Sequence, residues 1–475
     1  MNDTKRALLS EELSIAAEVL SQFCSGADLE KTFETVLLVA SGGKSGKVST
    51  SAVKEFVYRS VRSFRLLQAI TSLLNTKPPT PWVLALQQLV IAQLLVMQNR
   101  QDEIASTARI VDQAIEAVKA NREHAFAAGF VNATLRRFLR ERAALLVQAN
   151  RNDEAIYNYP FWWLKELEKT YPLDWKELAR AGDAQAPFCL RVNRRFGSVE
   201  DYITLLKTAL PNTTTRIPVK SFAGVQALIV EPAIAVRSLP GFSQGHVSVQ
   251  DAGAQLAAYF LELEDGQKVL DACAAPGGKT VHCLELADIN MTALDVSADR
   301  LARVAENLSR FRAGTGELKH PCTLKVGDAR LPSQWWDGTL FDRILADVPC
   351  SASGIVRRHP DIRWRRQRGD LATFSLQQVE ILNGLWPLLK PGGKLLYVTC
   401  SLFAAEGQEV ISQFLQGRRN VVQEPLTLQT VEQATGLTNF RDGYLLPKAT
   451  QDSSTGVRFE AEHDGFFYAR LVKTL

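Results

Sequence analysis

The 475-residue chain is poor in cysteine, with residues at 24, 189, 273, 283, 322, 350 and 400, none in a CxxC pair or at zinc-ligand spacing with histidine. No metal site or disulfide framework is signalled, and thiols kept reduced in a cytosol fit best. Long apolar runs are also lacking. The longest, VLALQQLVIAQLLVM (83–97), contains three glutamines and falls short of the ~20 residues that span a bilayer. It reads as a buried helix, and no membrane partner is expected. The start, MNDTKRALLSEELS, carries Asp3, Glu11 and Glu12 and is unlike a secretory segment, so a cytoplasmic location is expected. An excess of one charge is lacking: a net +4 leaves the distribution of basic residues to argue for or against a nucleic-acid partner. Internal repeats and low-complexity tracts are missing. The one Gly-rich break near the start, SGGKSGKVST (41–50), fails the phosphate-loop spacing.

What is present begins with helix. In SAVKEFVYRSVRSFRLLQAITSLL (51–74), Val53, Phe56, Val57, Val61 and Phe64 recur at three- and four-residue steps, the stripe of an amphipathic helix. At roughly 150 residues per domain the length suggests about three domains. Composition divides the chain at 1–148, all helical; 159–245, small and α+β; and 246–475, where short apolar strands alternate with amphipathic helices. That alternation predicts a doubly wound, largely parallel α/β sheet. The polar QANRNDEAIYN (148–158) reads as a linker.

QKVLDACAAPGGKTVHCLELA (267–287) reads as strand, tight turn, helix, with small residues that let a ligand approach the turn. It is neither a dinucleotide fingerprint nor a Walker loop. Four successive strands are expected to finish on Asp271, Asp295, Asp328 and Asp347, at the carboxyl edge where such sheets bind ligands. A ligand with hydroxyl and amino donors is implied.

DVPCSASG (347–354) sets Cys350 at a strand exit behind Pro349, because proline prevents ordinary strand continuation. A fifth strand, GGKLLYVTCSLF (392–403), preceded by a Pro391-Gly392-Gly393 turn, brings Cys400 to the same edge. Lone cysteines are usually small hydrophobes; a pair at one sheet edge beside Asp347 and Lys279 points to thiolate chemistry, with Lys279 as a candidate cation. Next comes RRHPDIRWRRQR (357–368), where Arg357, Arg358 and Trp364 suit phosphates and a stacked base. Arg191 and Asn193, in LRVNRR, offer a second possible RNA contact.

The set DACAAPGGKT, ALDVSADRL, GDAR, DRILADVPCSASG, RRHPDIRW and YVTCSLF resembles the RNA cytosine-5 methyltransferases that use S-adenosylmethionine, in particular the bacterial branch acting on 16S ribosomal RNA. The helical start, with AFAAGFVNATLRRFLRER, resembles the NusB-like RNA-binding domain of such enzymes. The resemblance covers nearly the whole chain. It implies a Rossmann-like methyltransferase sheet of seven strands, closed by an antiparallel arm from HDGFFYARLVK (463–473), behind a NusB-like domain and a small α+β domain. It implies that Cys273, Ala274, Ala275, Pro276, Gly277, Gly278 and Lys279 cradle the methionine end of the cofactor. Asp295 would bind the ribose, Asp328 the adenine side, and Asp347 would lie near cofactor and base. By the same resemblance, Cys400 attacks carbon 6 of cytosine, Cys350 helps resolve the adduct, and Asp347 hydrogen-bonds the base.

The chemistry is coherent. Carbon 5 of cytosine is a poor nucleophile until a thiolate adds to carbon 6, and afterwards the carbon 5 proton must leave and the cysteine be expelled. The target must be single-stranded or flipped out of folded RNA. A monomer is expected. A binding factor that keeps the pocket without turnover is the alternative, though it needs neither cysteine, and a DNA cytosine methyltransferase would lack the TCS partner. IRW in place of IKW, and Gly407 where relatives often carry Asn, touch neither the thiols nor the acids.

Overall fold

The computed structural model describes residues 9–41, 48–97, 103–216, 226–426, 440–447 and 462–475. Most of the 41–50 break lies outside the described residues. The chain divides into two compact units, Met1–Lys165 with His359–Arg365, and Glu166–Arg358 with Arg366–Leu475.

The first unit is helical. Its central helix, Pro81–Val96, opens on a proline at the position where a missing N–H costs nothing. It is buried all round, with Val83, Leu86, Leu89, Val90, Ile91 and Leu94 in the core, each stabilising by about 1.5–3 kcal/mol. The three glutamines are accommodated by partners: Gln87 Nε2 donates to Thr134 Oγ1 at 2.9 Å, Gln88 Nε2 to Thr71 Oγ1 at 3.5 Å, and Arg59 donates to Gln93 Oε1 at 2.7 Å. The 51–74 stripe is two helices, Thr50–Arg62 and Phe64–Leu74, because Ser63 sits between them at φ −123°, ψ 21°, off the helical values.

The second unit holds two sheets. The smaller has strands β1 (Cys189–Val192), β2 (Thr214–Arg216), β3 (Ala227–Glu231) and β4 (Val247–Val249), antiparallel in the order β2-β3-β1-β4. The period of two sorts its side chains. Leu190, Val192, Leu228 and Val230 pack with Val199, Tyr202 and Leu206 of the helix Val199–Ala209, while Cys189, Ala227 and Ile229 join the core of the large sheet.

The large sheet contains β5 (Lys268–Asp271), β6 (Asn290–Asp295), β7 (Cys322–Val326), β8 (Phe341–Asp347), β9 (Leu389–Thr399), β10 (Val421–Glu424), β11 (Phe440–Arg441), β12 (Tyr444–Leu445) and β13 (Phe466–Lys473). Five strands run parallel in the order β7-β6-β5-β8-β9, and β13 closes antiparallel on β9. The sheet has nine strands among the described residues, not seven, because β10 pairs with β13 and the two-residue strands β11 and β12 extend the closing edge. Pro391-Gly392-Gly393 lies inside β9, where the register against β8 shifts, and is not a separate turn. Ile344, Leu345 and Ala346 of β8 are fully buried, as expected of a parallel strand covered on both faces. The chain winds outward from β5 in one direction through β6 and in the other through β8, which opens a crevice at the strands' carboxyl ends.

Candidate active site

A cleft of about 350 Å³ lies along that edge, lined by Cys273, Ala275, Asp295, Asp328, Asp347, Cys350 and Cys400 among others. The turn after β5 runs into the helix Gly278–Leu286 through Gly277, at φ +99°, where a Cβ would stand 3.0 Å from Val304 Cα. Glycine is required there both by conformation and by space. Ala274, Pro276, Gly277 and Gly278 shape the turn and are not among the residues that line the cleft.

The acids divide by environment. Asp295 accepts from the backbone N–H groups of Ala275 (3.1 Å) and Ser297 (3.0 Å), tying the turn to the end of β6. Asp328 lies two residues beyond β7; Arg330 grips it at 2.7 Å and holds its carboxyl below the usual range. Asp271 is fully buried behind the turn and is not a cleft residue. It takes a 2.6 Å hydrogen bond from Thr280, and burial pushes its pKa up to about 7.

Lys279 Nζ reaches Asp347 Oδ2 at 2.6 Å. Burial works against the ammonium, but Asp347, with help from Cys400, more than offsets this and raises the lysine pKa. The two cysteines follow adjacent parallel strands, β8 and β9, and their sulfurs lie 3.4 Å apart. Cys350 is the more buried. The hydrogen bond to Cys400 and burial both push its thiol well above the ordinary value, so Cys350 keeps its proton beside Cys400.

The residues read as RNA contacts have other employment. Arg191 is fully buried in a bidentate pair with Glu285, at 2.9 and 2.7 Å, and also donates to Gly278 O at 2.9 Å. Asn193 is buried, donating to Gly245 O at 3.0 Å and accepting from Arg195 N. Arg357 and Arg358 converge on Asp464 and Asp251. Trp364 belongs to the helical unit, its ring 5.2 Å from Phe64 and under the Arg65 guanidinium. Arg191, Asn193 and Arg357 are buried among their partners, where RNA does not reach them, while Arg358 and Trp364 are only partly buried. Within the run from 357 to 368, Arg357 and Arg358 are neutralised by acids more than a hundred residues away in sequence, while Arg365 and Arg368 are exposed and Arg366 lines the cleft.

Some residues escaped sequence reasoning. Arg366 donates to Ser351 O at 3.1 Å and Cys350 O at 3.4 Å, and with Phe374 and Gln377 lines the cleft. Its neighbours in the arginine run hide it. Glu406 and Gln378 stand behind the cysteines; the one sequence signal was the serine that follows each cysteine. Among the described residues, no group of three or more His, Cys, Asp or Glu is placed to hold a metal ion, and no helix is long and apolar enough to cross a membrane.

A small-molecule crevice at the switch point of a parallel sheet with an antiparallel closing strand defines a Rossmann-like methyltransferase. Residues 258–472 match the family model described as 16S rRNA methyltransferase RsmB/F, and residues 159–220 match that of the RsmF/B-like ferredoxin-like domain. The chain is 37% identical over 443 residues to ribosomal RNA small subunit methyltransferase B of Erwinia tasmaniensis, covering 92% of this chain and 94% of that one. Against the protein of the same name from Serratia proteamaculans it is 35% identical, covering 97% and 98%. The chain belongs to the RsmB/F family of 16S ribosomal RNA methyltransferases, which use S-adenosylmethionine. The fold is shared with the solved structure of PH0851 (TM-score 0.71, 21% identity, 99% and 100% covered) and with that of NSun6 from Pyrococcus horikoshii with SFG (TM-score 0.50, 19% identity, 66% and 98% covered).

Proposed function

We propose that this ribosomal RNA methyltransferase modifies carbon 5 of a cytosine in 16S ribosomal RNA through a covalent adduct with Cys400. The observation that carries the reading is the 3.4 Å separation of the Cys350 and Cys400 sulfurs at the ends of adjacent strands, beside the Lys279–Asp347 pair.

The cleft suits the cofactor. Its volume of about 350 Å³ is within the usual small-molecule range of roughly 300–1,000 Å³. Its small residues Ala272, Cys273 and Ala275 leave room beside Asp295 and Asp328, whose carboxylates accept from ribose hydroxyls and the adenine side. When bound, S-adenosylmethionine supplies an electrophilic methyl group. Cys400 adds to carbon 6 as a thiolate and turns carbon 5 into a nucleophile, with Lys279 supplying positive charge nearby. Asp347 faces the base as hydrogen-bond acceptor. Once carbon 5 carries its methyl, a base near it must take the proton so that the carbon 6–sulfur bond breaks; Cys350 fills that place as a thiolate, once Cys400 is bonded to carbon 6 and no longer its hydrogen-bond partner. The cytosine enters single-stranded or flipped from folded RNA. We also read the chain as a cytoplasmic monomer with domains at 1–148, 159–245 and 246–475.

The test is transfer of a labelled methyl group to unmethylated 16S ribosomal RNA, with the product mapped as 5-methylcytosine. Cys400→Ala is expected to abolish it; substantial residual turnover would remove Cys400 as the nucleophile.

A further inference from the structure

Beneath the two sulfurs lies a carboxylate that the reaction as described does not use. Glu406 is fully buried. Its Oε1 accepts from the Ser351 backbone N–H at 2.7 Å and from Gln378 Nε2 at 3.4 Å, and its Oε2 accepts from Ser401 Oγ at 2.7 Å and from Ser351 Oγ. Its own carbonyl oxygen takes the hydroxyls of Tyr397 (2.8 Å) and Thr399 (3.3 Å), which fix it against β9. Ser351 and Ser401 are the residues directly after Cys350 and Cys400. One carboxylate therefore joins the two loops that carry the two thiols.

The attachment is unequal. Cys400 sits one residue past the end of β9, and its carbonyl oxygen also accepts from Gly354 N–H at 2.9 Å. Ser401 keeps further contacts, with Ser353 Oγ at 3.0 Å and Phe403 N at 3.2 Å. Cys350 lies three residues past β8; Ser351 gives both its N–H and its hydroxyl to Glu406, and the loop's other ties are Arg366 and Gln378 on its backbone carbonyls and the Ser353 and Gly354 bonds to the Cys400 loop further on. A buried carboxylate without a cation partner is costly unless donors converge on it, and here four do.

We propose that Glu406 is a positioning residue that holds the Cys350 loop against the Cys400 loop, so that its loss impairs release of the methylated product more than attack on the base. This rests on the cysteine division of labour given above. Glu406→Gln keeps the volume but points an amide N–H at donors, and so weakens the hold on Ser351, leaving the Cys350 loop to the bonds that Arg366 and Gln378 make with its backbone carbonyls.

The experiment follows steady-state methyl transfer and the fraction of RNA held covalently, seen as a slow band on a denaturing gel, for wild type, Cys350→Ala, Glu406→Gln and Ser351→Ala. For Glu406→Gln, kcat is expected to fall on the order of 100-fold, the scale of an ångström-sized misplacement, with KM for RNA and cofactor affinity unchanged and the covalent band increased. Ser351→Ala, which retains the backbone bond, is expected to show a smaller shift in the same direction, and it decides the matter if Glu406→Gln fails to fold. A covalent band in Cys350→Ala but in neither of the other variants would overturn the positioning role while leaving the two-cysteine reaction intact. Absence of the band in Cys350→Ala would overturn the release role and the proposal with it. Loss of kcat without adduct, or a rise in KM matching a fall in melting temperature, would reduce Glu406 to general structural support.

Discussion

The Lys279 ammonium and the Asp347 carboxylate meet at 2.6 Å with only 15% and 29% of their side chains exposed, so a positive charge is fixed near the place where the proposed reaction would bring the Cys400 sulfur and a cytosine together. Cys400 adds to the field that keeps this lysine protonated. Lys279→Met is expected to lower methyl transfer, since the cation near the sulfur is lost. The single-turnover rate of methyl transfer checks this, and an unchanged rate counts against the lysine.

Cys350→Ala removes a thiol that burial and Cys400 keep protonated. Methyl transfer is expected to proceed once per enzyme and then stall, giving a stable RNA–protein band. Multiple turnovers without that band would exclude a part in release.

Arg191→Met leaves Glu285, whose pKa burial already raises, buried without its bidentate partner. Breaking such a pair costs about 3–5 kcal/mol, to be read as a lower denaturant midpoint. RNA affinity measured well below the new melting temperature is expected to hold; a specific loss of RNA binding with full stability would restore Arg191 as a contact.

Asp271 has its pKa raised by burial from an ordinary 3.8 to about 7. Between those values the folded chain binds a proton that the unfolded chain has lost, so this group's contribution to stability is present below pH ~4 and is lost as the pH rises through about 7. Asp271→Asn removes that slope, which approaches about 1.4 kcal/mol per pH unit. Denaturation at several pH values from 4 to 8 tests it.

Arg366, which lines the cleft, is expected to matter to RNA, whereas Arg357 is held by Asp464 and Asp251. Arg366→Ala should weaken RNA binding; Arg357→Met should lower stability and leave the salt dependence of binding alone. The reverse pattern, read from binding at several salt concentrations, would place the RNA path along Arg357.

Much of the catalytic sheet is legible because its strands end on acids and cysteines whose spacing follows from the βα repeat. Asp295, Asp347, Cys350 and Cys400 reach one cleft for that reason. What a single sequence conceals is who neutralises whom. Arg357 and Asp464 are 107 residues apart, and Arg191 and Glu285 are 94 apart, so arginines that look free in the sequence are already paired in the fold. The extra strands β11 and β12 escaped because two residues carry no readable period.

The pairing of Arg357 and Arg358 with Asp251 and Asp464 also bears on the order in which the enzyme can assemble. The loop beyond Cys350 is fastened to a residue before β5 and to another just ahead of β13, and Asp464 N–H reaches back 213 residues to Asp251. Contacts so remote along the chain are made late. During synthesis, the parallel strands can therefore form first, while a nascent chain that has not yet delivered Asp464 lacks the fastening for its Cys350 loop. Competence for catalysis is thus expected to arrive with the last strand.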